Sequence, residues 1–475
     1  MPDTTTHHGA ELRGEAVRPF SPFFEGRFGR MFRSLPAFTP SDQSLKDLAS
    51  HMFEAAGRDR RRDPRQNPDM PAGYTYFGQF IDHDITFDPA SSLQRQNDPD
   101  ALHDFRTPRF DLDSLYGRGP ADDPFLFDQK PAEAKLAGAT FLIGKSVGNG
   151  HDLPRNSQGR ALVGDPRNDE NLVVSQLQCT FLRFHNNMAA HVAKNSSLRG
   201  GDLFLETQRR VRWHYQWVVV HDFLKRIAGE QIVTQLIPPG ATAAHVRSNL
   251  QFFHWLNSPF IPVEFSVAAY RFGHSMIRFD YTINDIIREI PIFSDSRDPL
   301  ANLNGFRPLP DQWGFDWRFF FETKAGHTPQ LAHKIDTRLA KPLKTLPKVV
   351  AEHPRSLAQR NLFRGRAFGL PSGQRVAHAM GLTPMTDTTL GITGVSSQFS
   401  GHAPLWFYVL KEAEAKHGGN HLGPVGGRIV AEVLVGLLAG DPHSYLSEHP
   451  TFKPVAPLAR QGRFGMPELI RFAVS

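Results

Sequence analysis

Residues 74–87, YTYFGQFIDHDITF, place Gln79, Asp82 and His83 three and four positions apart inside an aromatic run. On a helix these three side chains share one face, while Asp84, next to His83, points elsewhere. Phe77, Phe80, Ile81 and Phe87 flank them and predict burial, and buried Asp and His need partners. A His beside carboxylates on one apolar surface can move protons, so the chemistry of the chain is expected here.

Four further segments set polar groups where their neighbours predict burial. Gly164 to Asn171 reads GDPRNDEN, with Arg167 and Glu170 three apart on one face at the start of a long apolar helix. An N-terminal cap accounts for Asp165, Asp169 and Glu170 but leaves Arg167 at the unfavourable end of the helix dipole. In Tyr270 to Ile277, YRFGHSMI, His274 follows Gly273. A helical Gly costs about 1 kcal/mol against Ala, a cost that makes sense if something flat or bulky approaches the backbone. A core His satisfied by its neighbours is the plainer alternative. Asn361 to Arg364, NLFR, again sets an Asn and an Arg on one face of an apolar helix. Thr107, Asp111 and Asp113, with Asp84, offer oxygens that suit a hard cation such as calcium, or else form a solvated loop; the spacing is not that of an EF-hand.

In order and spacing, FGQFIDHDITF, TPRFDLDSLYG, GDPRNDE, YRFGHSMI and NLFR together resemble the animal-type haem peroxidases, the superfamily of myeloperoxidase, lactoperoxidase and the cyclooxygenases. The chain looks like a bacterial member, and the resemblance runs from about Phe28 to Leu446. It implies His83 as the distal His, Gln79 as the distal Gln, Arg167 as the distal Arg and His274 as the axial ligand of haem iron. It implies Asn361 as the acceptor for that ligand's other ring nitrogen, a contact that fixes the tautomer and raises basicity. Asp82 and Glu170 match carboxylates that form ester bonds to haem methyl groups. Arg271 and Arg364 match arginines near the haem, where they would pair with propionates. Asp84, Thr107, Arg109 through its carbonyl, Asp111 and Asp113 match a calcium site. The cofactors so implied are haem b, with ester links as a candidate feature, and calcium.

The activity so implied is reduction of hydrogen peroxide with oxidation of small reductants, either halide and thiocyanate or phenols and other aromatics. Gln79 retains the residue that the family associates with halide access. Splitting peroxide needs a base that takes a proton from one oxygen and returns it to the other, a part that His83 can play. Arg167 would stabilise the charge that develops as the O–O bond breaks. The sequence departs from the family in places. Asn171 stands where myeloperoxidase has a Met linked to haem, so no sulfonium link is expected, and Asp113 replaces a Ser of the calcium site. Arg271 stands where the cyclooxygenases carry their radical Tyr; Tyr270 is one position off and on a helix would face elsewhere. Rival readings are a lipid dioxygenase on the same scaffold, a haem- or calcium-binding module without catalysis, and a nucleic-acid binder suggested only by the pI of about 9.4.

These side chains need a frame to hold them. With 475 residues, 40% hydrophobic and 21% charged, the chain has the composition of an ordinary globular protein, and its 38 Phe against 8 Tyr and 6 Trp predict an aromatic interior. Helices are predicted over Asn171 to Lys194, Leu203 to Ile227, Pro262 to Met276, Ala351 to Phe368, Pro404 to His417 and Gly426 to Leu438. Strand signals are sparse. The expected architecture is mainly α, one helical domain over residues 21–475 behind a polar tail at 1–20, with loops at 88–106 and 145–160 and Phe23 to Phe38 wrapped round the body. The basic run at 58–65 is interrupted by Asp59 and Asp63 and reads as a solvated loop, so no nucleic-acid partner is expected. Cys179 is the sole cysteine, which excludes an intrachain disulfide and leaves it a small core residue. Neither a secretory leader nor a membrane span is recognisable, so the expected location is cytoplasmic, or exported by another route.

Overall fold

In the computed structural model, which describes residues 28–53, 65–86, 107–148, 150–348, 351 and 353–475, the aromatic-rich stretch is a helix at the centre of a mainly helical body. Among the described residues the helices of nine or more residues are α1 (Asp42–Ser50), α2 (Gly73–Ile85), α3 (Leu172–Lys194), α4 (Gly200–Val218), α5 (Leu357–Ala367), α6 (Leu405–His417), α7 (Pro424–Gly440) and α8 (Met466–Val474). Among the described residues, strands occur only as two-stranded pieces. Phe28–Gly29 runs parallel to Ile261–Pro262, and Gln66–Pro71 runs antiparallel to Leu331–His333. Two short antiparallel hairpins join Ser146–Val147 to Gly150–His151 and Asp280–Tyr281 to Ile290–Pro291. No described helix is long and apolar enough to cross a membrane. Phe87, residues 1–20, 58–64 and 88–106 lie outside the described residues.

The abundance of Phe explains how α2 is held. Phe80 stacks on Phe181 of α3 with ring centroids 4.6 Å apart, and Tyr215 of α4 meets Phe77, Phe80 and Phe181 edge-on. Such pairs add about 0.5–1.5 kcal/mol each beyond area burial. Every residue of α2 is buried except Gln79 and Asp82. The helix begins without a side-chain cap. Instead Gly73 donates its N–H to the Phe320 carbonyl at 3.0 Å, an approach that a Cβ would block by running to 2.3 Å from the Phe321 ring. α3 starts conventionally: the Asn171 side chain accepts from Val174 N–H at 2.9 Å. Cys179 lies buried in α3.

Two predicted helices differ in the structure. Pro262 to Met276 is not an α-helix: Ile261–Pro262 is extended, Glu264–Ala268 is a π-turn and Ala269–His274 is 3-10. The break sits at Ala268, with φ −127° and ψ −75°. The buried Glu264 carboxylate ties the wide turn to the N-terminal strand by accepting from Met31 and Phe32 N–H at 3.0 and 3.1 Å. The helix expected from Ala351 begins only at Leu357, capped by Ser356, because Pro354 lacks the donor an earlier turn needs. The long helix from Gly200 carries a π-turn at Val219–Leu224 before ending at Gly229, whose φ is +89°. Within 145–160, read as loop, one short hairpin forms.

Candidate active site

α2, the turn Pro166–Asp169, the start of α3 and the irregular segment 264–277 surround a cavity of about 210 Å³. Its wall brings together Gln79, Asp82, His83, Glu170, Arg271 and His274. Arg167, Arg364 and Asn361 are not on that wall, though Asn361 reaches it through His274.

His83 is buried, and its Nδ1 lies 2.8 Å from Asn168 Oδ1. Asn168 in turn donates Nδ2 to Gln178 Oε1 at 2.9 Å, which leaves its oxygen for His83. Nδ1 therefore carries a proton, and in the neutral ring Nε2 holds the lone pair. Nε2 is 3.7 Å from Glu170 Oε1. Glu170 accepts from Gln79 Nε2, and Asn171 Nδ2 donates to Gln79 Oε1 at 3.1 Å. Asn168 and Asn171 are thus site residues that the sequence reading missed. Asn168 hid among acidic cap positions, and its role rests on a partner ten residues further along.

Burial, opposed by Arg167 and reinforced by Asp165 and Asp82, pushes the Glu170 carboxyl up to about 7. About a third of its side chain is open, and that surface faces the cavity. Burial also raises Asp82, against the pull of Arg167 and Arg271. Arg167 itself donates to the carbonyls of His83 and Thr86 and to Asp165 Oδ2, the last at 2.9 Å. Its guanidinium so sits at the C-terminal end of α2, where a cation is favourable, although it starts the turn before α3. It acts on the cavity as a charge rather than as part of the wall. Arg364 lies over the Phe368 ring at 4.8 Å, and its charge draws Asp82 down.

Burial, then the Arg271 charge, holds His274 down to about 3, so the ring is neutral at pH 7 and offers a nitrogen lone pair. Asn361 Nδ2 lies 2.8 Å from His274 Nδ1, and Arg271 donates to Asn361 Oδ1 at 3.2 Å. The amide thus faces opposite to the expected arrangement, in which its oxygen accepts from the ring, because Arg271 takes that oxygen. Tyr270, expected to face away, lines the cavity, since 3-10 and π-turns shift the phase of an α-helix. A Cβ on Gly273 would meet nothing within 4 Å, so the wall beside His274 is open to a flat group. A neutral His, that open backbone and the Arg271 cation suit a haem with its anionic propionates.

Across α2, Asp84, Asp111 and Asp113 present carboxylate oxygens all within 4.8 Å of one another. Thr107 Oγ1 donates to Asp111 Oδ2 at 2.5 Å, and Asp113 N–H donates to Asp111 Oδ1 at 3.0 Å. Arg109 lies 3.9 Å from Asp441 Oδ1. At that spacing each pair of charged carboxylates repels by roughly 3 kcal/mol at an effective dielectric of about 20. A divalent cation would reverse that cost.

A carboxyl raised in the fold favours its protonated form, so its ionisation lowers stability as pH climbs from the unfolded value of about 4.3 towards the folded one. In haem-free protein Glu170→Gln is expected to match the wild type near pH 4 and to exceed it increasingly up to about 7, then level off. Thermal unfolding across pH checks this; a pH-independent difference contradicts it.

The sequence profile described as animal haem peroxidase matches residues 104–396, a stretch that leaves out α2. Human peroxidasin homolog is 26% identical over 224 residues, covering 44% of this chain and 13% of that protein. Pig thyroid peroxidase is 26% identical over 291 residues, covering 55% of this chain and 28% of its own length. The match therefore spans well under a third of these curated relatives. Peroxidase A from Dictyostelium discoideum superposes with a TM-score of 0.59 at 16% identity, covering 93% of both chains. A fatty acid alpha-dioxygenase from Arabidopsis thaliana gives 0.57 at 13%, covering 95% of this chain and 75% of that one. With the family profile matching more than half of its length, the chain belongs to the animal haem peroxidase family.

Proposed function

We propose that the chain is a haem peroxidase that reduces hydrogen peroxide and oxidises small anionic or aromatic reductants. The observation that carries this reading is two imidazoles on one cavity wall with opposite support: His83 pinned through Nδ1, and His274 held neutral by burial. Haem, when bound, supplies an iron centre that reacts with peroxide and gives up two electrons. His274, through Nε2, would hold the iron. His83 Nε2 takes the proton from the near oxygen of peroxide and returns it to the departing oxygen. Gln79, held by Glu170 and Asn171, lines the side where halide or thiocyanate would enter.

A ring bound to iron through Nε2 carries its proton on Nδ1 and needs an acceptor opposite. With haem held by His274, Asn361 Oδ1 would be the acceptor for Nδ1–H and Arg271 would be available to pair with a propionate. Arg167 holds the end of α2 that carries His83 and contributes positive charge from behind the wall. Asp82 and Glu170 are candidate ester anchors: both face the cavity, burial disfavours their charge, and an ester removes it. Calcium at Asp84, Thr107, Arg109, Asp111 and Asp113 would brace α2 directly behind His83. Tyr270 on the cavity wall keeps a fatty-acid dioxygenase as the second reading; oxygen uptake with an unsaturated fatty acid and no peroxide would favour it.

Reconstitution with haem is expected to fail for His274→Ala and to succeed for His83→Ala. The latter should react with peroxide about a hundredfold or more slowly. Normal peroxide reactivity of His83→Ala in stopped-flow spectra contradicts the assignment. Acid-acetone extraction of peroxide-treated wild type should leave haem on the protein; complete release refutes the ester links. Removing calcium with a chelator, or substituting Asp84→Asn, should slow the peroxide reaction before far-UV dichroism changes. Calorimetric titration showing no calcium binding to wild type overturns that site.

A further inference from the structure

Three tyrosines line the cavity: Tyr74, Tyr76 and Tyr270. Their hydroxyl partners differ in a way that matters for oxidation. Tyr270 donates to the Gly78 carbonyl at 3.3 Å, which cannot keep a proton. Tyr76 sits edge-on to the phenol ring of Tyr281, with centroids 5.5 Å apart. Tyr74 donates to the Asp222 carboxylate, Oδ2, at 2.7 Å. Asp222 lies on the far side of Tyr74, on the wall of a separate surface groove with Trp217, His221, Arg226 and Arg463. A buried phenol thus touches the cavity at one end and, through a proton acceptor, the surface at the other.

We propose that Tyr74 relays oxidising equivalents from the haem cavity to this groove, making the groove a second oxidation site for bulky phenolic reductants. The inference rests on the peroxidase reading above. Tyr74 gives one electron to the peroxide-oxidised haem and its hydroxyl proton to Asp222, leaving a neutral tyrosyl radical and a protonated carboxyl. The Arg226 guanidinium, 4.6 Å above the Tyr74 ring, disfavours a radical that keeps its proton and so couples the two transfers. Arg226 also donates to Asp222 Oδ1 at 2.9 Å, while Oδ2 accepts from the phenol and from Met466 N–H, the latter at 2.8 Å, so the phenol meets a carboxylate oxygen already held in place. A phenol docked in the groove returns one electron to Tyr74, the proton on Asp222 goes back, and the donor's own proton leaves to water. Two such cycles match the two electrons that one peroxide takes.

The groove supplies the docking surface and the conducting aromatics. Trp217 is half-buried there and stacks on His221 with centroids 3.9 Å apart, and His221 Nε2 lies 3.0 Å from the Tyr445 hydroxyl. His221 and Asp222 are consecutive, so Trp217 joins Tyr74 through one turn of backbone.

The test uses haem-loaded protein mixed with one equivalent of peroxide, frozen rapidly and read by electron paramagnetic resonance. Wild type should show a tyrosyl signal that narrows when tyrosine is ring-deuterated, and Tyr74→Phe with haem bound should lose it. In parallel, a phenol coupled to a polymer too large for the cavity is compared with iodide as donor. Trp217→Leu should oxidise the polymer phenol at least about fivefold more slowly while oxidising iodide normally. A tyrosyl signal unchanged in Tyr74→Phe, or polymer oxidation unchanged in Trp217→Leu, overturns the relay and leaves the peroxidase reading standing. No reaction of haem-loaded wild type with peroxide overturns the peroxidase reading and the relay with it.

Discussion

The hydrogen bond from His83 Nδ1 to Asn168 Oδ1 is the constraint on which the site depends. An imidazole in a buried wall can present either nitrogen, and only a fixed acceptor decides which. Asn168 is such an acceptor because Gln178 of α3 takes its amide hydrogen. The chain from Gln178 to Asn168 to His83 is buried throughout and crosses from α3 to the turn before it and on to α2. Losing any one partner strands a buried polar group, at about 1–3 kcal/mol. The network that orients the base therefore also locks two central helices.

α2 works as a partition. Gln79, Asp82 and His83 face the cavity, Asp84 faces the carboxylate cluster behind, and the phenylalanines between them pack on α3 and α4. Arg167 grips the carbonyl end of the partition, and Tyr74 near the other end reaches Asp222. Charge is distributed accordingly. Glu170 and Asp82 sit where burial disfavours ionisation, with Arg167 and Arg271 drawing them the other way. The cavity thus holds two carboxyl groups that burial biases towards their protonated form, beside an unprotonated His274.

The long helices α3, α6 and α7 were legible because apolar residues recur every three or four positions and no tertiary contact overrides that pattern. The mainly α architecture followed from them, and the clustering of Gln79, Asp82 and His83 followed from helical spacing alone. The proximal segment was illegible for the opposite reason. From Ala268 onward it changes turn type, so helical phase no longer tells where Tyr270 or Arg271 points. The start of α2 carries no capping residue, since a carbonyl from Phe320 does that work. Arg167 stood out as a cation at the wrong helix end, but the carbonyls it grips, those of His83 and Thr86, lie more than eighty positions earlier, and spacing could not reveal them. The amide orientation of Asn361 depends on such distant partners, and the role of Asn168 on His83, equally far away, together with Gln178 on the next helix.

The most direct test of the account is the rate at which haem-loaded Asn168→Ala reacts with peroxide, followed by stopped-flow absorbance. With the Nδ1 acceptor gone and His274 untouched, haem binding should persist while the reaction slows by about tenfold or more. A variant that binds haem and reacts at the wild-type rate would show that His83 needs no such anchor, and the account would be wrong at its centre.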